Sequence, residues 1–142
     1  MNAAPHELPM FAEGVVGFGD APDCAPYLIG GRCPACGRWY FPQPDLCRHC
    51  QAALERASLG SRGEIYSNTV VRTKPPLGLP RPYAVGYIDL AEQPLRIFML
   101  LDPSATDTLR IGQQVELAVG PLGVNRERVP CLRPFFRPIA TG

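Results

Sequence analysis

Two closely spaced pairs of cysteines are the residues of this sequence best suited to chemistry. Cys33 and Cys36 form the first pair, Cys47 and Cys50 form the second, and ten residues separate the pairs. A two-residue spacing lets a tight turn direct both thiolates to one point, and Gly37 suits the left-handed backbone that such a turn needs. Four thiolates satisfy the tetrahedral preference of zinc and leave no position open for water. The spacing therefore predicts a closed, structural zinc site.

The sequence alone leaves other interpretations of these cysteines open. Iron in a rubredoxin-like site is the main rival metal, because four thiolates do not distinguish it from zinc. Four ordinary thiols or two disulfides are the alternatives without a metal, and His49 could in principle replace one thiolate. Zinc held by all four cysteines is the favoured interpretation, because paired cysteines at this separation are typical of zinc ribbons.

The two remaining cysteines, Cys24 and Cys131, stand alone in the sequence. A nucleophilic cysteine needs a neighbouring base. The histidines are His6, near the N-terminus, and His49, between two predicted metal ligands. We therefore expect both thiols to be buried and inert, and the sequence offers no convincing centre for an independent hydrolase or redox enzyme.

The composition favours a folded, mainly β protein. Hydrophobic residues make up 46% of the 142 residues, which is enough for a core. The 17 prolines and 14 glycines disfavour long helices and favour short strands joined by turns. The first residues lack the basic and apolar regions of a secretory signal, and no stretch approaches the roughly 18 apolar residues of a membrane span, so the cytoplasm is the expected compartment.

The elements that must position the cysteines fall into three predicted parts. Residues 1–30 form an N-terminal arm, rich in glycine, proline and apolar residues, that we expect to contact a partner. Residues 31–60 form the zinc ribbon, in which Trp39 to Pro42 makes one side of a hairpin and Gln51 to Ala57 makes one or two helical turns. Residues 61–142 form an OB-fold domain of strands separated by turns.

Five strands are predicted in the C-terminal part, over residues 64–73, 83–90, 95–101, 114–119 and 129–136. The third is almost continuously apolar and is expected to be central, whereas Pro130 and Pro134 place the fifth at an edge. Gly86 is expected to mark a bulge or sharp bend in the second strand.

The predicted segments between these strands favour an OB barrel. Asp102 is expected to begin a short helix that runs to about Leu109, between the third and fourth strands, and Gly120 to Val124 is expected to be a turn. Five strands with a helix at this place match a five-stranded OB barrel, although an SH3-like barrel or a sandwich suits the spacing nearly as well.

Taken together, the arm, the ribbon and the barrel resemble a known family. The first cysteine pair continues as C-x-x-C-G and is followed shortly by Phe41-Pro42. Further matching stretches are residues 47–50, 63–71, 82–90, 109–115 and 136–138. In this order they resemble the zinc-ribbon/OB-fold family long described as a domain of unknown function that occurs beside thiolases and related acyl-CoA enzymes.

The resemblance implies a partner rather than an independent enzyme. Members of this family look like small subunits that bind a thiolase-like catalytic chain and help to hold its acyl-CoA, while the catalytic residues belong to the larger chain. Within the family, the glycine-rich stretch from Phe11 to Gly19 is similar to the small subunits of thiolases for aromatic β-ketoacyl-CoA compounds such as benzoylsuccinyl-CoA. The arm departs from relatives that look helical there, so its docking is left open.

The resemblance also implies a place for coenzyme A. Arg72, Lys74 and Arg81 surround a proline-rich loop, and Arg38 lies beside the first cysteine pair. Arginine forks and lysine ammonium groups suit phosphates, and Tyr83 could stack on adenine. Plain exposure to solvent is the alternative for each of these cations.

A single-stranded nucleic-acid-binding module is the main alternative function, because zinc ribbons and OB folds both serve that role. Such proteins commonly have a pI above about 9 and clustered basic residues. This chain has a formal net charge of +1, a pI of about 7.6 and one lysine. The charge therefore weighs against that alternative, and a purely structural zinc scaffold is a further possibility.

Overall fold

The computed structural model describes residues 8–12, 14–18 and 26–139 and arranges them in two antiparallel sheets. The smaller sheet contains β1 (Val16–Gly17), β2 (Tyr27–Arg32), β3 (Trp39–Tyr40) and β4 (Glu55–Ser58). The larger sheet contains β5 (Arg62–Val71), β6 (Tyr83–Leu90), β7 (Arg96–Leu100), β8 (Gln114–Val124) and β9 (Pro130–Pro138). Within the described ranges the helical elements are two short 3-10 helices, Pro76–Gly78 and Pro103–Ala105. The protein is mainly β, as its composition predicts.

Strand β2 organises the smaller sheet. It pairs with β1, β3 and β4, and it begins at Tyr27, so that it crosses the expected boundary between arm and ribbon. Gly30 allows the close approach of β3, because a Cβ atom there would overlap the carbonyl oxygen of Tyr40. The hairpin strand predicted at Trp39 is confirmed as β3.

The helical turns predicted for Gln51 to Ala57 are wrong. The chain forms β4 instead, and Ala57 lies opposite Gly30 of β2. These residues have adequate helix propensity, but the edge of β2 offers backbone partners, and such tertiary pairing overrides a weak local preference. The amide of Leu59 then donates to the carbonyl oxygen of Leu28 at 2.9 Å and leads the chain into the larger sheet.

The larger sheet runs in the order β7-β6-β5-β8-β9 and curls until its two ends meet. Leu101, directly after β7, forms a parallel bridge with Phe136 of β9. The amide of Asp102 donates to the carbonyl oxygen of Phe136 at 2.9 Å, which fixes the closure. The predicted five-stranded OB-like domain is thus confirmed.

Two predictions about these strands are wrong. The third strand, β7, lies at one end of the sheet order rather than at its centre. Its side chains alternate, since Ile97 and Met99 are buried while Phe98 is 57% exposed. The segment 120–124, expected to be a turn, instead continues β8. Gly120 and Pro121 still pair with β9, and the pairing is irregular only between Pro121 and Val124.

The irregularity predicted at Gly86 lies on the neighbouring strand. Strand β5 carries an extra residue, Tyr66, between the pairs formed by Ile65 and Ser67 with β6. Gly86 meets this bulge, because a Cβ atom there would overlap the carbonyl oxygen of Ser67. Glycine therefore allows the two backbones to approach where the sheet bends.

One smaller prediction about the C-terminal part is confirmed, and a second is confirmed in part. Strand β9, which contains Pro130 and Pro134, lies at the other end of the sheet order. The short helix begins after Asp102 as predicted, where the Asp102 carboxylate accepts a hydrogen bond from the Ser104 amide at 2.9 Å. It ends at Ala105 rather than near Leu109, because residues 106–108 form a turn. None of the helices in the described ranges is long and apolar enough to cross a membrane.

One hydrophobic core joins the two sheets. Leu28 and Leu59 of the ribbon region belong to the same buried cluster as Phe136 of the barrel. Trp39 and Phe41 of the ribbon hairpin pack against this cluster. The shared core thus anchors the Trp39–Phe41 side of the first cysteine hairpin on the barrel.

Candidate metal centre

The two cysteine pairs lie on two hairpins with the same backbone hydrogen bonds. In the first, the Cys33 amide donates to Arg38 O at 2.9 Å and the Gly37 amide donates to Cys33 O at 2.8 Å. In the second, the Cys47 amide donates to Ala52 O at 2.9 Å and the Gln51 amide donates to Cys47 O at 2.8 Å. The spacing of the cysteines thus folds each pair into one tight knuckle.

The residue after the second cysteine has a left-handed backbone in both hairpins. Gly37 has φ of 79° and Gln51 has φ of 63°. Glycine adopts this region readily, whereas a residue with a Cβ atom does so at a cost of about 1–2 kcal/mol. The left-handed conformation of Gln51 in the second hairpin therefore depends more on surrounding contacts than that of Gly37 in the first.

The four sulfur atoms converge across the two hairpins. Cys33 Sγ and Cys50 Sγ are 3.3 Å apart, and Cys36 Sγ and Cys47 Sγ are 3.6 Å apart. All four ligand atoms lie within 4.8 Å of one another. Tetrahedral zinc with Zn–S bonds of about 2.3 Å requires sulfurs about 3.8 Å apart. The donor set therefore fits a four-thiolate metal site.

Burial differs between the two members of each pair. Cys33 and Cys47 are buried, whereas Cys36 and Cys50 are exposed. The Tyr40 hydroxyl lies 3.2 Å from Cys47 Sγ and accepts a hydrogen bond from the Arg48 amide at 3.1 Å. Sequence reasoning placed Tyr40 in the hairpin but missed this contact, for which the cysteine spacing gives no signal.

Hydrogen bonds from neighbouring groups lower the pKa values of two of the four thiols. The hydrogen bond from Tyr40 is the main reason that the pKa of Cys47 falls to about 5. The Cys36 amide, which donates to Cys33 Sγ at 3.5 Å, is the main cause of the lowered pKa of Cys33.

The other two thiols hold their protons more strongly. The hydrogen bond from Ala52 acts to lower the pKa of Cys50, but Cys33, partial desolvation of the sulfur and the other thiols outweigh it and raise that pKa to about 12. The pKa of Cys36 is also raised, because partial desolvation of its sulfur and the neighbouring thiols outweigh the hydrogen bond from Arg38. Two acidic and two less acidic thiols are the expected result of crowding four groups that cannot all ionise without a cation.

The structure places the remaining cysteines and histidines away from this chemistry or outside the described residues. The side chain of His49 is exposed and is not a member of the sulfur cluster. Cys131 is buried, and its Sγ lies 3.7 Å from the carbonyl oxygen of Leu122. Cys24 and His6 lie outside the described residues.

Three of the five candidate coenzyme A residues share one loop. Arg72, Lys74 and Arg81 are exposed, and Arg81 Nε donates to the carbonyl oxygen of Arg72 at 2.9 Å. Tyr83 is half-buried and lies opposite Val71 at the end of the β5–β6 pair. The structure thus brings Arg72 and Arg81 together at the same end of that strand pair.

Arg38 belongs to a different surface. It is exposed and lines a cavity of about 320 Å³ together with Cys36, Trp39, Tyr40 and Pro94. This cavity is bounded by the first knuckle and by the β6–β7 connection. Arg38 is therefore grouped with the metal centre rather than with the proline-rich loop.

Two family models match adjoining parts of the chain. Residues 25–55 match the rubredoxin-like zinc ribbon domain of ChsH2, and residues 56–120 match the C-terminal OB-fold domain of ChsH2. The boundary between the matches falls at the start of β4. The matched regions contain all four cysteines of the candidate metal centre.

Individual proteins match over most of their length. The benzoylsuccinyl-CoA thiolase subunit BbsA of Thauera aromatica is 40% identical over 119 residues, which cover 81% of this chain and 78% of BbsA. BbsA of Geobacter metallireducens is 36% identical over 116 residues, which cover 81% of this chain and 77% of that subunit. A solved structure, the Ltp2-ChsH2(DUF35) aldolase, matches with a TM-score of 0.63 and 29% identity over 79% of this chain and 84% of the matched chain.

These matches agree with the four-cysteine centre and the curled five-stranded sheet. The chain therefore belongs to the ChsH2 and BbsA family, whose members join a rubredoxin-like zinc ribbon to a C-terminal OB-fold domain and include subunits of a thiolase.

Proposed function

We propose that this chain is a non-catalytic, zinc-containing subunit of a thiolase-type acyl-CoA enzyme. It stabilises a catalytic subunit and helps to bind the CoA thioester during thiolytic cleavage of a β-ketoacyl-CoA, with an aromatic substrate such as benzoylsuccinyl-CoA as the first to test. The observation that carries the proposal is the 40% identity to BbsA over 78% of that thiolase subunit.

The chemistry of the cysteine centre supports a structural role for this chain. Cys33, Cys36, Cys47 and Cys50 would hold zinc, and four thiolates fill its tetrahedral positions, so that none is left for water or substrate. When bound, zinc holds the two knuckles together against the electrostatic repulsion of the thiolates. The acid, base and nucleophile of the reaction would then belong to the catalytic partner.

The proline-rich loop supplies the cations proposed for coenzyme A. Arg72, Lys74 and Arg81 are exposed within one loop, and the hydrogen bond to the Arg72 carbonyl limits the positions that the Arg81 side chain explores. A stiff loop loses little entropy when it binds phosphates. Tyr83 stands at the base of the loop for stacking on adenine, and Arg38 would act from the ribbon surface.

The arm is proposed as part of the contact with the partner. Its described segment lies along β9, because the Phe11 amide donates to Leu132 O at 2.9 Å and the Leu132 amide donates to Pro9 O at 2.8 Å. Phe18, directly after β1, is 52% exposed. Exposed aromatic residues are common at protein interfaces. The three-part division of the chain, with residues 1–30 as the arm, belongs to the same proposal.

The first experiment tests assembly and activity together. The chain is co-expressed with thiolase-type proteins, purified through a tag on this chain alone, and assayed for CoA-dependent cleavage of β-ketoacyl-CoA thioesters. We expect a stable complex that contains zinc and is active only when both chains are present. Failure to retain any thiolase-type protein under these conditions contradicts the proposal.

A second experiment tests the coenzyme A residues. Replacing Lys74 and Arg81 together with alanine is expected to raise the KM for the CoA thioester roughly three- to tenfold, because two charge-assisted contacts are lost. The matched control is the pair Arg56→Ala and Arg110→Ala, which removes two exposed arginines outside this loop. An unchanged KM in the first pair, with an intact complex, refutes the assignment of this loop.

A second candidate partner follows from the solved structure. The matched complex is an aldolase that contains ChsH2, and the match covers 84% of the matched chain. The same subunit type is therefore compatible with an aldolase partner, whose cleavage of a β-hydroxy carbonyl compound needs no free CoA as co-substrate. Assaying the purified complex on β-keto and β-hydroxy thioesters, with and without CoA, distinguishes the two reactions.

One observation favours the nucleic-acid alternative. Tyr66, Tyr87 and Phe98 are exposed on neighbouring strands of the OB domain, and the rings of Tyr87 and Phe98 are 5.2 Å apart. The cation among them, Arg96, lies over Tyr66 and is paired with Asp89, so it contributes little free positive charge. Binding of single-stranded oligonucleotides with a steep salt dependence would support this alternative, and no binding would remove it.

A further inference from the structure

An apolar cleft lies where the arm, the ribbon and the barrel meet. Its volume is about 420 Å³, and cavities of this size commonly hold small organic molecules, often between structural units. The walls come from all three parts of the chain and are formed chiefly by Phe11, Val15, Phe41, Leu79, Val85 and Leu100. A ligand in this cleft would be surrounded mainly by hydrocarbon.

Arg133 supplies the positive charge at the wall of this cleft. Its side chain is 8% exposed, and its guanidinium lies 5.1 Å from the centre of the Phe11 ring. Nε donates to Leu122 O at 3.1 Å and Nη2 donates to Val124 O at 2.7 Å. Both acceptors are neutral, and no carboxylate among the described residues forms an ion pair with Arg133. The buried charge thus has hydrogen bonds but no counterion in this part of the chain.

A second cavity of about 480 Å³ shares Phe11 and Arg133 with the apolar cleft. Its other walls include Asn125, Arg126 and Glu127, so it is more polar and carries charges of both signs. Arg133 therefore stands between a hydrocarbon-lined space and a polar one. This arrangement suits a molecule with an apolar body and a single negative end.

We propose that the apolar cleft binds a small organic carboxylate with an aryl or alkyl body. The body lies among Phe11, Phe41 and Leu79, and the carboxylate binds the guanidinium N–H groups of Arg133 that the backbone carbonyls leave free. A planar guanidinium matches a carboxylate geometrically, and a desolvated one attracts it strongly. Inorganic anions lack the apolar body that this cleft accommodates. The site lies wholly within this chain, so the inference does not depend on the thiolase-type partner.

The test uses the zinc-loaded full-length chain and a matched pair of probes. 3-Phenylpropanoate carries the charge, and 3-phenylpropanamide has the same ring and length without it. Calorimetry is expected to show that the acid binds at least about tenfold more tightly than the amide, since hydrogen bonds to a charged group are lost in the amide. Amide chemical shifts should change at Phe11, Val85 and Leu100, which line the cleft.

Two variants test separately the charged group of Arg133 and the free volume of the cleft. Arg133→Lys keeps the charge but not the planar fork, and is expected to reduce the preference for the acid. Because Arg133 also binds the backbone of β8, a second variant leaves it in place: Leu79→Trp fills the cleft and is expected to abolish binding of both probes. Ile111→Trp adds the same ring at a residue that is 72% exposed outside the cleft, and should bind the acid normally.

Equal affinity for acid and amide overturns the role of Arg133, and binding that survives Leu79→Trp overturns the location. If neither probe shifts these resonances while a thiolase-type subunit does, the cleft is a protein-docking surface and the small-molecule assignment fails.

Discussion

Tyr40 and Gln51 show, at the scale of single residues, that the two cysteine knuckles are not equivalent. Tyr40 stands beside Cys47 and is itself held by the Arg48 amide, whereas no aromatic hydroxyl contacts the other three sulfurs among the described residues. Gln51 adopts the left-handed conformation that Gly37 provides without strain in the first knuckle. The second knuckle thus combines an acidic thiol with a strained turn, and bound zinc would stabilise it most.

Replacing Tyr40 with phenylalanine tests the hydroxyl next to Cys47. The change removes a hydrogen bond to the thiolate, and groups that support metal ligands in this way commonly alter affinity by about 10- to 100-fold. We expect weaker zinc binding by roughly that factor, measured by competition with a chromophoric chelator. Tyr87→Phe, at an exposed tyrosine of the barrel, is the control and should bind zinc like the unaltered chain.

The thiol acidities predict how zinc affinity depends on pH. All four ligands must be thiolates in the complex. Cys47, with a pKa of about 5, is already ionised near neutral pH, whereas Cys36 and Cys50 have raised pKa values and must lose protons. Zinc binding near pH 7 should therefore release about two to three protons, so that affinity falls as pH is lowered.

Calorimetry in buffers of different ionisation enthalpy measures this proton release directly. Below about pH 5, Cys47 also becomes protonated before zinc binds, so that the release rises and affinity falls more steeply. Release of four protons at pH 7 would show that the Tyr40 hydroxyl does not acidify Cys47.

At the scale of elements, the contact between β5 and β6 decides how the barrel bends. Strand β5 has its bulge at Tyr66, and Gly86 of β6 accepts the displaced backbone. The sequence signals this place through a single glycine in an otherwise β-branched and aromatic segment. It does not reveal which of the two strands carries the extra residue, because a bulge is a property of the pairing.

Gly86→Ala is expected to destabilise the protein by about 2–3 kcal/mol. The new methyl group would overlap the Ser67 carbonyl oxygen, and backbone cannot move aside as a flexible side chain can. Chemical denaturation of the zinc-loaded chain measures the effect. Gly120→Ala is the matched control, because its methyl group would meet only the Phe135 ring at 3.3 Å, and a smaller loss is expected.

For the whole molecule, the shared core makes ribbon and barrel interdependent. Leu28 and Leu59 are buried with the barrel residues, so the ribbon cannot detach without exposing core surface. The hairpins that carry the cysteines, by contrast, have mainly exposed side chains between residues 33 and 50. Metal removal should therefore loosen the hairpins before it unfolds the barrel.

Chelation of zinc is expected to increase hydrogen exchange at residues 33–50 more than in β5–β9, and to lower the melting temperature of the chain. Structural zinc in small modules contributes an apparent free energy on the order of 10–16 kcal/mol, so the hairpins have little stability without it. Cys131→Ala is the control, since it removes a buried thiol outside the cluster and should leave the zinc content unchanged. Uniform exchange across both sheets after chelation would contradict the expected order.

Local spacing and composition account for several features of this protein. The cysteine pairs, the turn glycine Gly37, the mainly β content and the approximate bounds of four barrel strands all follow from constraints within a few residues. The relation to the thiolase-associated family is also visible at that level, because it rests on the order of short motifs along the chain.

Other features depend on which distant segments meet in the folded chain. Residues 55–58 form a strand because the edge of β2 is available to them. Strand β7 lies at one end of the sheet order, and the bridge between Leu101 and Phe136 then brings that end to β9. Tyr40 reaches Cys47, and the buried Arg133 reaches an apolar cleft, through contacts between residues distant in sequence. Their energies arise from pairing and burial in the folded chain, which no local pattern encodes.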